Sequence, residues 1–414
     1  MPVRRLPFVA LLAAIFCARA AAQEADAGFT MPVTITGGAL YTHRLTADDP
    51  DGRPYGGAFH AVLNPGLKLG PHWFVYSSIH VRSTPFFYHE AYEPEREIKA
   101  RVVQAFVGYT RTRKNTTVLV KAGQLASAFG SFPLRYDDAE NPLLDEPIGY
   151  ATYLTLRADQ LPCSAEDLIE AGEYGWALKY HCGGATASSE GLMPATLYGL
   201  PGIEVDLSTR KFDTRFQLTN SSPANPHGLL SRSQHAQWTA GAGYTPVQGF
   251  RLGTSVFRGP FLDRPVAGLL PAGRTVRDFP ATGAGLDVQW ARGRWSTNGE
   301  WQWFHFTYPN FRTSPSTSFA YAEVKAVVNA RTYLAFRAGY QRSSYVEDLT
   351  ERSYETFTHN RQSYEFAIGF RPNRWQLLKV GYEWMNEADV SGTHDNVFGI
   401  QFVTSIHSLS KAFR

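Results

Sequence analysis

Arg82, Lys121, Arg215, Arg251, Arg337, Arg371 and Lys379 are the side chains best placed to act on a charged or dipolar species. Each sits on the minor parity of a stretch whose other parity is apolar. A second charged set is concentrated between residues 127 and 198. There Asp137, Asp138, Glu140, Asp145, Glu146 and six further carboxylates face only Arg135, Arg157 and Lys179, eleven acids against three bases and a net of −8. Fixed charges of opposite sign across a narrow, low-dielectric passage orient dipolar solutes and reject apolar ones. The same acids on an open surface would be solvated charge and no more. Glu204, Asp206, Asp287, Glu300 and Glu365 share the minor parity and are expected to pair with neighbouring Arg and Lys across strands; Glu383 lies on that parity too.

Bond-breaking chemistry finds less support. A nucleophile needs a base and an orienting group within hydrogen-bond reach. The chain has 12 histidines but no GxSxG, HExxH or CxxC arrangement. His305 and His359 are the nearest to candidates, and a surface histidine is usually only that. No cofactor and no metal site is expected. Arg4 and Arg5 precede the apolar run "LPFVALLAAIF", and small residues follow in "ARAAAQ". This predicts a secretory signal peptide over 1–22, cut after Ala22. Its three arginines account for the formal net charge of +3, so the remainder is neutral and bulk charge gives no reason to expect a nucleic-acid partner. Cys163 and Cys182 then remain, and an oxidising compartment makes a bridge between them the expectation.

The elements that must position these charges follow one period. In "YEFAIGFRPNRWQLLKVGYEW", Tyr364, Phe366, Ile368 and Phe370 share one face, and Glu365, Ala367, Gly369 and Arg371 the other. After "PNR", Leu378, Val380, Tyr382 and Trp384 oppose Leu377, Lys379, Gly381 and Glu383. A membrane-spanning helix needs roughly 18 unbroken apolar residues, and the spacing of two is that of a β-hairpin. The pattern recurs from "VTITGGALYTH" to "NVFGIQFV" and predicts about sixteen strands. Short turns at 70–72, 112–115, 209–211, 246–249, 291–293, 328–331 and 372–374 alternate with long polar connections. One parity is apolar with Trp or Tyr near strand ends, among them Trp73, Tyr109, Tyr244, Trp290, Trp295, Tyr340, Trp375 and Trp384. The other is polar and excludes a dry core.

An all-β, transmembrane antiparallel barrel over residues 23–414 satisfies this pattern, apolar toward outer-membrane lipid and polar toward a lumen. The long connection 127–198 is its third external loop. Phe129, Phe132, Leu143 and Leu144 give that loop a reason to fold inward, because exposing each would cost up to about 1.5–3 kcal/mol. The competing readings are an outer-membrane barrel hydrolase and a closed structural or adhesive barrel.

The stretches "VKAGQLASAFGSFPLRY", "PGIEVDLSTRKFDTRFQLTNSSP", "GRWSTNGEWQW" and "YAEVKAVVNARTYLAFRAGYQR", with the hairpin above, resemble the porin O and P family, the phosphate-selective-porin-like barrels of Gram-negative bacteria. The likeness runs loosely over residues 100–406. It implies a sixteen-stranded pore for small hydrophilic solutes, a third external loop folded inward, and often a trimer. Phosphate selectivity would need a lysine cluster in that loop; here Lys179 is its one lysine.

Overall fold

The computed structural model describes residues 28–44, 55–84, 86, 97–134, 137–173, 179–181, 191–226, 235–387 and 394–406. The segment 1–22, Arg135 and Cys182 lie outside them. Sixteen strands, counted among the described residues, form the wall. They are β1 (Val33–Arg44), β2 (Tyr55–Leu63), β3 (Trp73–Thr84), β4 (Glu97–Arg113), β5 (Thr116–Ala126), β6 (Tyr198–Ser208), β7 (Phe212–Thr219) and β8 (Gln237–Val247). Then follow β9 (Phe250–Pro260), β10 (Pro280–Arg292), β11 (Trp295–Phe306), β12 (Ser316–Val327), β13 (Thr332–Ser343), β14 (Arg361–Asn373), β15 (Gln376–Glu387) and β16 (His394–Ile406). Each pairs antiparallel with its chain neighbours. β16 returns to β1 in register from Val33↔Ile406 to Arg44↔Asp395, which closes the sheet. β2 is interrupted at Pro65, which has no N–H to donate to a ladder, and resumes over Gly66–Leu69.

Seven tight turns at 70–72, 114–115, 209–211, 248–249, 293–294, 328–331 and 374–375 lie at one end and all longer connections at the other. Gly249 and Gly293 take φ of 81° and 61° in two of these turns, a region costly for residues with a Cβ.

The period-two pattern is explained by which face is wet. On β14, Phe366 and Ile368 are each 43% exposed, whereas Glu365 between Tyr364 and Phe366 is 3% exposed. On β15, Tyr382 is 45% exposed and Lys379 1%. The apolar side chains form the outer surface, and a closed sheet is one of the two ways a backbone can cross hydrocarbon with every ladder group paired. Trp73, Tyr244, Trp290, Trp295, Tyr340 and Trp375 stand exposed near strand ends, as an aromatic girdle requires. Ile368→Arg should therefore lower stability in lipid by about 2–4 kcal/mol, as for a charge near the bilayer midplane. Gln289→Arg, on the opposite face beside Asp287, should cost little. Urea unfolding in vesicles checks this, and equal tolerance at the two sites would mean the faces are misassigned.

The inner face departs from expectation in one region. It is not polar throughout. Phe257, Phe304, Phe306, Phe319 and Tyr321 on β9, β11 and β12 point away from the outer surface and are buried. They pack with Phe129, Phe132, Tyr150 and Leu154 of the connection after β5. Phe129 sits 5.1 Å from Phe257 and 5.4 Å from Phe304, ring centre to ring centre. Part of the inner wall is thus a dry core shared with that connection.

Candidate functional site: a segment held on the inner wall

The connection between β5 and β6 leaves and rejoins the wall at one point. Ser127 N–H donates to Leu197 O at 2.9 Å. From there it makes two separate attachments to inner-face side chains.

The first attachment is to β7, β9, β11 and β12. Gly130 N–H donates to Ser255 Oγ (2.9 Å) and Arg215 donates to Gly130 O (3.3 Å). Gly130 has φ +77°, and a Cβ there would overlap the Tyr150 hydroxyl, so the close approach depends on glycine. Glu300 accepts from Ser131 N–H and Oγ, Tyr150 Oη (2.8 Å), Gln302 Nε2 (2.9 Å) and Tyr321 Oη (3.2 Å). The expected basic partner of Glu300 is replaced by this ring of donors. Tyr150 belongs to a short helix, α1 (Ile148–Ala151), buried along its length.

The second attachment lies over β12 to β16 and β1 to β2. Arg337 is 2% exposed. Its guanidinium donates to Glu323 Oε2 (2.9 Å), Glu365 Oε2 (3.1 Å), Asp145 O (2.9 Å) and Asn141 Oδ1 (3.2 Å). Glu365 Oε1 in turn accepts the N–H groups of Leu144 (2.6 Å) and Asp145 (3.1 Å). Lys379 Nζ donates to the carbonyls of Asp138, Asn141 and Leu143. Arg371 donates to Ala139 O, and Tyr333 Oη to Pro142 O. Asp138 Oδ2 accepts from Thr36 Oγ1 (2.7 Å) and lies 2.8 Å from His60 Nδ1, while His60 Nε2 lies 3.1 Å from His80 Nδ1.

Acid against base accounts for only part of the contact, at Asp138 beside His60 and Lys379. Arg337 and Lys379 bind the segment mainly through its backbone carbonyls, and a wall acid, Glu365, binds its N–H groups. Asp145 and Glu146 are buried, with Glu146 N–H donating to Asp145 Oδ1. Burial pushes the Asp137 carboxyl up, and the neighbouring charges of Asp138 and Glu140 push it further. Burial would do the same to Asp138, but the His60 imidazole, the Lys379 charge and the Thr36 hydroxyl hold it well below the usual range. Glu140 has an exposed side chain.

Two further sets of charges form wall-to-wall pairs. Lys121 Nζ bridges Glu204 and Asp206 (2.8 Å to the latter), and Arg251 bridges Asp213 (2.8 Å) and Asp287 (2.7 Å). Arg82 lies on β3 in register with His60 and Lys99. Glu383 is buried directly opposite Glu365 in the β14–β15 register. His60, Asn141 and Ser255 were not singled out from sequence. Their partners lie 78, 196 and 125 residues away, separations with no local signature. Cys163 is exposed just before α2 (Ala165–Glu173); its expected partner Cys182 is outside the described residues. His305 stacks on Trp303 on the outer face, and among the described residues no cluster of His, Cys, Asp or Glu has metal-site geometry.

A closed sixteen-stranded antiparallel barrel, apolar outside and charged inside, is the fold of outer-membrane porins, and the chain is an outer-membrane β-barrel. No protein-family model and no curated protein matches the chain. Its structure is similar to the outer-membrane channel DcaP of Acinetobacter baumannii, with 11% identity, a TM-score of 0.54, and 93% of this chain and 99% of that one covered. It is also similar to the anion-selective porin from Comamonas acidovorans, with 9% identity, TM-score 0.54, and coverage of 92% and 100%. For Pseudomonas putida OprB the identity is 14% and the TM-score 0.52, over 94% and 96% of the two chains. At these identities the likeness is one of fold.

Proposed function

We propose that the protein is a passive diffusion channel for small hydrophilic solutes, narrowed by the segment 127–197. This agrees with the resemblance to porin O and P barrels. The observation that carries the reading is the double attachment of the segment to inner-face side chains. A barrel of this strand number encloses an aqueous lumen unless something fills it. Residues 127–134 and 137–151 of the segment line the sides formed by β7 to β16 and β1 to β2, and residues 154–168 pack on the other long connections through Asp263, Tyr308, Asp348 and Phe357. The solute path then follows the lumen left beside β3 to β6, past Arg82, Lys121, Glu204 and Asp206. Bases and acids there are interleaved, which favours weak selectivity with no phosphate-specific cluster. The excess of carboxylates in the segment tilts the selectivity toward cations.

Reconstitution in planar bilayers tests this. Discrete conductance steps of modest size are expected, with a reversal potential in a KCl gradient on the cation side or near zero. A barrel that inserts without conducting would favour the closed structural reading. A strongly anion-selective reversal potential would defeat the charge argument while leaving the channel intact.

A further inference from the structure

Outside the lumen, a cavity of about 460 Å³ opens at the rim nearest the long connections. Its floor is one row of outward side chains: Trp303 on β11, Ser318 on β12 and Arg342 on β13, which are consecutive partners in register. Its roof comes from a three-stranded sheet of Phe311–Thr313, Tyr345–Asp348 and Arg352–Thr356, which places Tyr345 and Arg352 over that row. Asn360 completes the lining.

Two features define what this cavity would hold. The first is its level. The next row toward the opposite rim is Trp301, Ala320 and Tyr340, with Trp301 and Tyr340 each 42% exposed on the apolar belt. Two residues along a strand is about 7 Å, so the cavity begins one step above the hydrocarbon boundary that exposed Trp and Tyr mark. The second is its charge. Among the described residues no carboxylate pairs with Arg342 or Arg352. Glu347, opposite Arg352 in register, lies 3.6 Å from Arg312 and accepts from Thr313. Arg352 lies over the Tyr345 ring at 5.6 Å. Two guanidinium groups without an acid, beside hydroxyls and an amide, suit the tetrahedral oxygens of a phosphate.

We propose that this cavity binds the unmasked, anionic phosphate headgroup of a membrane amphiphile in the leaflet on the side of the long connections. The acyl chains would run down past Trp301 and Tyr340. The arginines at the rim then act as an anchor that fixes depth and rotation in the bilayer, independently of any transport through the lumen.

Native mass spectrometry of the full chain in detergent micelles tests this with three probes: phosphatidic acid, phosphatidylcholine of the same acyl chains, and inorganic phosphate. Phosphatidic acid should be retained about tenfold better than phosphatidylcholine, the scale of one lost charge-assisted contact. The combined Arg342→Ala and Arg352→Ala variant should fall to the phosphatidylcholine level. Arg342→Lys with Arg352→Lys, which keeps the charge and loses the planar fork, should fall between. Arg258→Ala removes another outward rim arginine, four strands away on β9, and should change little. Equal retention of phosphatidylcholine, whose phosphate is a choline-masked diester, would show that the arginines do not select an unmasked phosphate, and displacement by inorganic phosphate at equal concentration would show a free-anion site. An equal loss in Arg258→Ala would show general rim charge. Each of these outcomes overturns the proposal, as does full retention in the double variant.

Discussion

Excision of residues 129–195, with a short Gly-Ser link joining the ends, should give a folded barrel whose single-channel conductance rises several-fold. The excision is geometrically mild. Ser127 and Leu197 already share a backbone hydrogen bond, and Ala126 pairs with Tyr198, so the two strands can be joined as an ordinary hairpin. What is lost is the material packed across the inner wall together with the part seated on the other long connections, and a sixteen-stranded barrel without a constriction is a wide aqueous pore. The segment carries eight more acids than bases, so the reversal potential should also move toward anions. Circular dichroism and heat-modifiable migration would establish that the shortened chain still closes. A closed barrel with unchanged conductance would show that the segment does not control the path. The newly wetted Phe257, Phe304 and Phe319 should make the variant less stable but not unfold it, since the ladder hydrogen bonds are untouched.

Replacing Arg337 by Met should be the most damaging single substitution on the inner wall. Its guanidinium lies between Glu323 and Glu365 and also reaches Asp145 O and Asn141 Oδ1. Removing one partner of a buried ion pair typically costs about 3–5 kcal/mol, because the charge left behind has neither water nor a counter-ion. Lysine cannot rescue it fully, having no planar fork to serve four acceptors at once. Denaturant unfolding in micelles should show the loss, and open-channel current noise should rise as Asn141–Asp145 loosens. Adding Glu323→Gln to Arg337→Met should recover part of the stability, the signature of coupling in a double-mutant cycle. Strict additivity of the two changes would mean that the three side chains do not act as a unit.

The wall was legible because lipid and water impose one rule on every strand. Phe366, Ile368, Tyr382 and Val380 could be assigned to the outer face without knowledge of any partner. The turns could be placed for the same reason, since each interrupts the alternation. The rule says nothing about a third environment. Where Phe129, Phe132 and Tyr150 cover the inner face of β9, β11 and β12, aromatic residues stand on both parities, and "WFHF" at Trp303–Phe306 carries that signal as an unbroken aromatic run. Read as a strand buried on both faces, it would have located the dry core. No comparable trace marks Glu300, Lys379 or His60, whose partners in the segment are backbone groups or side chains distant in sequence. The type of Lys379 suggested charge acting on a solute and that of Glu300 a pair with a neighbouring base; their geometry shows charge consumed in holding a peptide segment.

The second attachment spans the join between the first and last strands. Thr36 of β1 and His60 of β2 hold Asp138, while Lys379 of β15 and Gln401 of β16 hold the carbonyls of Asp138, Asn141, Leu143 and Leu144. That surface does not exist until β16 has met β1, so the segment can dock only as a late step of assembly. Once docked, it must be released before those two strands can part. Interactions made after the rate-limiting pairing slow unfolding more than they speed folding. The segment therefore acts as a kinetic lock on the barrel, and the excised variant should open at the β1–β16 seam faster than its lost equilibrium stability alone would dictate.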